Sequence, residues 1–246
     1  MNIQELKDLQ PLVYQQFVTI LEQGRLAHAY LFSGDFASFE MALFLSQALF
    51  CQEKIGVHPC GKCRSCRLIE SNDFSDVTIV APQGNFIKTD TIRELVKNFS
   101  QSGFESSQQV FIIRDAEKMH VNAANSLLKV IEEPQSTIHI FLLTNQEEAV
   151  LPTIKSRTQI ISFPQNLPYL ERFLEEEGLL KTQASLIARL VSSQEEAKRL
   201  ATNKSFIDLL DQAKKFTELL LTDSNRAYLQ VGVLVSLAVE KAEQGR

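Results

Sequence analysis

Residues 31–45, LFSGDFASFEMALFL, have the outline of a phosphate-binding loop. An apolar strand end leads to Gly34, and a short turn then runs into an apolar helix. Counted from Gly34, the pattern GxxxxGK[ST] requires glycine at position 39, lysine at position 40 and serine or threonine at position 41. The chain has Phe39, Glu40 and Met41 there. The frame of a nucleotide site is therefore kept, while the three residues that complete its chemistry are replaced.

The replacements oppose nucleotide binding on physical grounds. Glu40 places an anion where a cation contacts the phosphates, and Phe39 carries a bulky side chain where glycine lets the backbone approach. Met41 lacks the hydroxyl that binds Mg²⁺ in an active site. We therefore expect that this loop binds no ATP.

The second part of such a site is also altered. An active site has an aspartate directly after a buried strand, and here the strand at residues 110–113 is followed by Arg114. Asp115 is the one acidic residue left at that position. Two independent losses predict a degenerate nucleotide site. A lone glycine is weak evidence, however, and an unrelated α/β fold in which Gly34 simply ends a strand is the alternative.

Apolar runs predict five strands, and helical periodicity predicts helices between them. The strands are expected at residues 27–33, 76–81, 109–113, 138–144 and 159–163, and the helices at 11–23, 39–50, 89–100 and 122–133, the last stopped by Pro134. Alternating helices and mostly apolar strands indicate a parallel sheet with helices on both faces. After residue 165 the pattern predicts helices, at 169–177, 182–191, 195–201, 206–221 and 226–241, with domain boundaries near 165 and near 205.

Composition narrows the class of protein. The 246 residues are 44% hydrophobic and carry a net charge of −5, so a large cationic face for nucleic acid is not the first expectation. No run of apolar residues approaches the 18 that a transmembrane helix needs, and the amino terminus, MNIQELKDLQ, is polar and acidic. These features predict a cytoplasmic protein that has no contact with a membrane.

The four cysteines lie within one short segment, at Cys51, Cys60, Cys63 and Cys66. Clustered cysteines at two-residue gaps in a cytoplasmic chain predict a metal site, and four thiolates form a closed structural zinc site. Four neighbouring cations can offset the negative charge of such a site: Lys54, Lys62, Arg64 and Arg67. The alternatives are ordinary packed cysteines or a zinc-dependent nucleic-acid-binding module. His58 is the less favoured substitute ligand, and we expect it on the surface.

Several segments together resemble one family. They are LAHAYLFSG at 26–34, the four-cysteine insert, RDAEKMHVNAANSLLKVIEEP at 114–134 and FLLTNQEEAVLPTIKSRTQIISF at 141–163. Over roughly residues 5–205 their order and spacing resemble the delta-prime family of bacterial DNA polymerase III clamp-loader subunits. The resemblance implies a RecA-like AAA+ domain at 1–165 with a zinc module at 51–66. It further implies a helical lid domain at 166–205 and the start of a helical collar at 206–246, which we expect to be incomplete.

The resemblance also implies a function in DNA replication. Members of that family are AAA+ partners that do not hydrolyse ATP, in a ring with gamma or tau subunits and delta. The complex loads the sliding clamp on primed DNA, so this chain is expected to meet the clamp and the DNA through the complex. No intrinsic enzyme activity is expected. The chain is expected to be part of a DNA-directed DNA polymerase, a nucleotidyltransferase, at the level of the holoenzyme.

One short motif gains a role from the resemblance. The family has a Ser-Arg-Cys motif that presents an arginine to the nucleotide of the neighbouring subunit, and the matching residues are Ser156, Arg157 and Thr158. The resemblance implies that Arg157 is a trans arginine finger, whereas the residues alone favour an ordinary surface arginine. Thr144 matches a polar sensor position and is expected to cap its loop. An active AAA+ ATPase with an unusual loop is the other alternative.

Overall fold

The computed structural model describes residues 3–99, 108–133 and 137–244. The chain forms two compact units, of which the first ends at Gln165 and the second begins at Asn166. The first unit contains the following helices and strands: α1 (Ile3–Leu9), α2 (Pro11–Glu22), β1 (Ala29–Ser33), α3 (Ser38–Phe50), α4 (Arg64–Glu70), β2 (Val77–Val80), α5 (Thr89–Phe99), β3 (Gln108–Ile113), α6 (Val121–Glu132), β4 (Thr137–Thr144), α7 (Pro152–Lys155) and β5 (Gln159–Ser162).

The strands form one five-stranded sheet in the order β2-β3-β4-β1-β5, and each described pairing is parallel. In the register of β1, Phe32 lies opposite Leu143 of β4 and Ile161 of β5. The loops after β1 and β3 therefore leave the same edge of the sheet, where the carboxyl ends of the strands meet. In open α/β sheets this edge is the usual place for a ligand.

The two faces of the sheet bury different side chains because successive strand residues point to opposite sides. On one face, Tyr30 and Phe32 of β1 pack around Phe17 of α2 and Phe141 of β4. On the other face, β1, β3 and β4 join α5 and α6 in a second core, which includes Leu31, Phe111, Ile113, Ile140, Leu142, Ile92, Leu95, Leu127 and Ile131. Helices cover both faces of the central strands, as predicted.

The second unit contains α8 (Leu167–Glu176), α9 (Lys181–Leu190), α10 (Gln194–Thr202), α11 (Lys204–Thr222) and α12 (Ser224–Gln244). Three of these helices begin at a capping side chain, from Asn166, Ser193 and Asn203, whose oxygen accepts a backbone hydrogen bond. Leu170, Leu174 and Ile187 are buried in this unit. The predicted division into a lid and a collar near 205 stays a prediction.

The five predicted strands and the helices between them are present, with ends shifted by one or two residues at most positions. β1 begins at Ala29, and the short helices α1 and α4 were not predicted. β5 differs most from expectation, because it ends the sheet order and its side chains are mostly exposed, with Ile160 42% exposed. Ser100 and Pro134, where two helices were expected to end, lie outside the described residues. No helix in the described ranges is long and apolar enough to cross a lipid bilayer.

Candidate functional site

Gly34, the surviving glycine of the loop after β1, is required by a close backbone approach. Its φ angle is +113°, and a Cβ atom there would lie 2.3 Å from the carbonyl oxygen of Phe163. Its N–H donates a hydrogen bond to the carbonyl oxygen of Thr144 at 2.8 Å. Because a side chain at this position would overlap backbone on the β5 side, packing alone explains the glycine.

The rest of the loop is held closed from the side of the amino-terminal helices. Gln10, at the start of α2, is buried, and its Nε2 donates hydrogen bonds to the carbonyl oxygens of Phe36 at 2.8 Å and Pro164 at 2.7 Å. Phe36 itself is buried, and Ala37 adopts a left-handed conformation with φ of 61° just before α3. The loop backbone is therefore fixed by protein contacts at the position where an active loop contacts phosphates.

The two altered halves of the nucleotide site touch each other. The guanidinium of Arg114, at the end of β3, lies over the ring of Phe39, at 4.8 Å from its centroid. Met41 has no exposed surface, so its side chain belongs to the core. Asp115 forms an ion pair with Lys118 at 3.2 Å. A cation–π contact thus joins the positions where an active site has its glycine and its magnesium-binding aspartate.

Thr144 caps its loop, as expected from the sequence. Its hydroxyl donates to Glu117 Oε2 at 2.6 Å and accepts a hydrogen bond from the N–H of Gln146 at 3.0 Å. The residue is buried at the end of β4. Its polar atoms are therefore engaged within the protein.

Arg157 lies at the opposite edge of the same sheet, where β5 begins. Its side chain is 38% exposed, and its Nε forms an ion pair with Oε1 of Glu132, whose side chain is 48% exposed. Its Nη1 donates hydrogen bonds to the carbonyl oxygen of Thr153 and to Oγ of Ser156, each at 3.2 Å. The guanidinium is thus oriented by three neighbours while its side chain still reaches the surface.

Thr158, which follows Arg157, supports the same turn. Its Oγ1 donates a hydrogen bond to the carbonyl oxygen of Ile154 at 3.1 Å, and the N–H of Arg157 donates to the same oxygen at 3.0 Å. Both bonds satisfy a carbonyl near the end of α7, where orphan acceptors are normal. These two bonds therefore hold the arginine at a fixed helix end.

The four cysteines form a compact cluster, in which the Sγ atoms of Cys51, Cys60, Cys63 and Cys66 all lie within 4.8 Å of one another. A tetrahedron of thiolates at the usual zinc–sulfur distance of about 2.3 Å has edges of about 3.8 Å. The Sγ atoms of Cys51 and Cys63 are 3.9 Å apart. Among the described residues these cysteines can hold a metal ion, and the all-thiolate donor set fits zinc.

Backbone N–H groups point at the sulfur atoms of the cluster. Sγ of Cys60 accepts hydrogen bonds from Lys62 and Cys63, at 3.4 and 3.2 Å, and Sγ of Cys51 accepts one from Cys60 at 3.3 Å. Burial by itself raises the pKa of the Cys63 thiol, but hydrogen bonds from the Cys66 and Gln52 backbone and from neighbouring thiols outweigh it and lower the pKa to about 6. At Cys63 these bonds favour the thiolate form that metals require, whereas burial raises the pKa of the Cys51 and Cys66 thiols.

Two residues of the cysteine segment also contact the neighbouring helices. His58 is half-buried, and the centroid of its ring lies 6.1 Å from that of Tyr14. As expected, it is not part of the metal-binding group. Lys54 donates a hydrogen bond to the carbonyl oxygen of Leu49 at 3.3 Å, so it caps the end of α3. These contacts pack the segment against α2 and α3.

Comparison with known proteins identifies the family. A family model described as DNA polymerase III, delta subunit, matches residues 9–166. DNA polymerase III subunit delta' of Bacillus subtilis is 37% identical over 227 residues, which cover 91% of this chain and 69% of that protein. The chain belongs to the DNA polymerase III delta-prime family.

Two further likenesses place the delta-prime chain among related proteins. DNA polymerase III subunit gamma/tau of Mycobacterium bovis is 33% identical over 175 residues, which cover 67% of this chain and 30% of that protein. The Thermotoga maritima RuvB Holliday junction branch migration motor has a TM-score of 0.50 at 12% identity, covering 95% of this chain and 70% of that chain. This structural likeness shows the fold alone. The chain thus spans 69% of the delta-prime relative and under a third of the gamma/tau relative.

Sequence reasoning missed two residues that shape the sites of this delta-prime chain. Gln10 holds the closed loop, and Glu132 holds Arg157. Glu132 belongs to NSLLKVIEEP, one of the segments that carry the family resemblance, so a signal for it was present. Gln10 precedes Pro11 at the start of a helix and reads as an ordinary polar residue, so local pattern gave no signal for its contacts.

Proposed function

We propose that this chain is a non-hydrolysing AAA+ subunit of a DNA polymerase III clamp loader. In this proposal it presents Arg157 to ATP bound by a neighbouring gamma/tau subunit and, with gamma/tau and delta, helps load the sliding clamp on primed DNA. One observation carries the proposal: Arg114 lies over Phe39 in the chain's own nucleotide position, while Arg157 reaches the surface at the opposite edge of the sheet.

The closed loop supports the absence of ATP hydrolysis by this subunit. A nucleotide would have to displace the Arg114 side chain from Phe39 and approach Glu40, which repels phosphate. The carboxylate that remains, Asp115, is paired with Lys118. These contacts leave no arrangement that positions Mg²⁺ and phosphate together as hydrolysis requires.

Arg157 has the chemistry of a finger supplied in trans. Its planar fork matches two phosphate oxygens better than a lysine ammonium does. An arginine supplied by a neighbour stabilises charge on the transferring γ-phosphate and is worth about 10³–10⁵ in rate in other systems. The neighbouring side chains of β5 are mostly exposed, which suits a surface between subunits.

The cysteine cluster fits a structural zinc ion in this proposal. Bound zinc would cross-link the end of α3, at Cys51, to the start of α4, at Cys66. Four thiolates fill a tetrahedral site, so no position is open for substrate. The residues of the cluster therefore stabilise the module and take no part in hydrolysis.

The proposal is tested by reconstituting the chain with gamma/tau and delta subunits and measuring DNA-stimulated ATP hydrolysis and clamp loading. We expect Arg157→Ala to lower hydrolysis at the site it serves by about 10³-fold or more while the complex still assembles. Arg199→Ala is a matched control, because Arg199 is also an exposed arginine in an ion pair, with Glu196 at 3.8 Å. Unchanged turnover by Arg157→Ala would reject the finger.

Two measurements on the isolated chain separate the alternatives. Micromolar ATP binding with turnover would favour an active ATPase over the proposed function. Salt-dependent affinity for DNA that is lost on zinc removal would favour a nucleic-acid-binding module. We expect neither activity, with an active gamma/tau subunit as the positive control for hydrolysis.

A further inference from the structure

Glu132 lies at the end of α6, in the segment NSLLKVIEEP, and the proposed function gives it no role. Its carboxylate accepts a hydrogen bond from Nε of Arg157, which follows α7 in the chain. The contact therefore links the end of α6 to the turn after α7, and β4 lies between these two helices in the sequence. Both side chains remain partly exposed.

The contacts of Arg157 divide its five N–H groups in a specific way. The Nε group pairs with Glu132. The two N–H groups of Nη1 donate hydrogen bonds to the carbonyl oxygen of Thr153 and to Oγ of Ser156. Within residues 3–99, 108–133 and 137–244, Nη2 has neither a hydrogen bond nor an ion pair. The protein thus fixes Nε and Nη1 of the guanidinium, and the two N–H groups of Nη2 can donate to another acceptor.

We propose that Glu132 is a positioning residue that holds the Arg157 fork with Nη2 directed at the nucleotide of the neighbouring subunit. This inference rests on the proposed function of Arg157. A long arginine side chain on a surface samples many rotamers, and a carboxylate that accepts from Nε selects those in which the fork keeps one orientation. Correct placement before binding increases the rate because a displaced catalytic group loses much of its effect.

The exposure of the pair separates this role from a purely structural one. An ion pair between two partly exposed side chains contributes little to folding stability. Removing Glu132 should therefore leave the thermal unfolding temperature almost unchanged. Its effect should be seen in turnover by the complex.

The test compares Glu132→Ala, Glu132→Gln and Glu133→Ala in the complex reconstituted with gamma/tau and delta. We expect Glu132→Ala to lower DNA-stimulated ATP kcat by about 10- to 100-fold with little change in KM for ATP. Glu132→Gln should recover most of this loss, because the amide oxygen still accepts a hydrogen bond from Nε. Glu133→Ala removes the adjacent exposed carboxylate and should have wild-type turnover.

A second comparison shows which proposal fails if one does. In an Arg157→Ala background, Glu132→Ala should cause no further loss, because the residue acts through the arginine. If Arg157→Ala lowers turnover and Glu132→Ala does not, or raises it, the positioning role is wrong and the finger stands. If Arg157→Ala itself has no effect, the proposed function fails first.

Discussion

The closed loop after β1 and the exposed arginine before β5 lie at opposite edges of one sheet, and their polar groups have different kinds of partner. At the carboxyl edge, Arg114 is engaged by Phe39, and Gln10 binds the loop backbone. At the amino edge, Arg157 is held by Glu132 and still reaches the surface. Both arginines reach the surface, but Arg157 is oriented by hydrogen bonds and an ion pair, whereas Arg114 lies over the ring of Phe39.

Under the proposed function, the difference illustrates how a nucleotide-binding frame can lose one function and keep another. A closed loop costs the fold little, because the Gln10 side chain binds the carbonyl oxygens of Phe36 and Pro164 and so satisfies the backbone beside the loop. An arginine that serves another subunit must be oriented without being buried. The two regions are joined by β1 and β5, so the same strands stabilise the closed site and support the exposed residue.

The largest stability effect that we expect in the closed region comes from Gly34→Ala. The added Cβ would lie 2.3 Å from the carbonyl oxygen of Phe163, and φ of +113° is unfavourable for alanine. Urea denaturation should show a loss of about 3 kcal/mol or more in the free energy of unfolding. This outcome would mean that the loop keeps its glycine for packing, which sharpens the contrast with Arg157.

Gly24→Ala is the matched control for that substitution. Gly24 also has a positive φ, of +63°, but no atom lies within 4 Å of a Cβ at that position. It should lose only the backbone cost of about 1–2 kcal/mol. Equal losses at the two positions would show that the close approach to Phe163 has no importance.

Much of this architecture could be predicted from local sequence, for identifiable reasons. Each central strand is an apolar run, the cysteine spacing is typical of a metal site, and Phe39 and Arg114 stand at motif positions. Their contact could not be predicted, since it depends on how β1 and β3 are placed in the sheet. The seven-residue helices α1 and α4 are too short for periodicity to distinguish.

The exposed region was harder to predict than the closed one. β5 reads as a buried strand from its two isoleucines, yet it ends the sheet order and is largely exposed. The Glu132–Arg157 ion pair joins residues whose partners no local pattern specifies. The domain limits and the roles of individual site residues stay predictions.

Zinc removal should have a smaller effect, and one confined to the closed side of the molecule. Helix α3 runs from the closed loop to Cys51, so a bound metal ion would fix the far end of the helix that begins at the loop. We expect chelation to lower stability by at least about 2 kcal/mol, or about 4–8 °C in unfolding temperature. Calorimetry with and without a chelator measures the shift.

Two observations would limit or overturn that expectation. In Cys60→Ser protein, the chelator should cause no further shift, since one ligand is already lost. A zinc-to-protein ratio near zero in the purified wild-type chain would remove the metal site. Chelation could instead abolish DNA-stimulated ATP hydrolysis by the complex without lowering the unfolding temperature. The cysteine cluster would then act together with Arg157, and the contrast between the two regions would need revision.

The smallest change is expected when two motif residues are restored in the closed loop. Glu40→Lys with Met41→Thr should leave ATP affinity weaker than about 1 mM, or −4.1 kcal/mol, because Arg114 and Phe39 still occupy the site. Position 41 is fully buried, so a hydroxyl there replaces core packing and does not face a nucleotide. Isothermal titration with Mg·ATP measures the affinity.

A variant that also carries Phe39→Gly and Arg114→Asp gives the informative contrast. If this variant binds ATP and the double variant does not, the Phe39–Arg114 contact is what closes the loop. Binding by the double variant would instead place the defect in residues 40 and 41 alone.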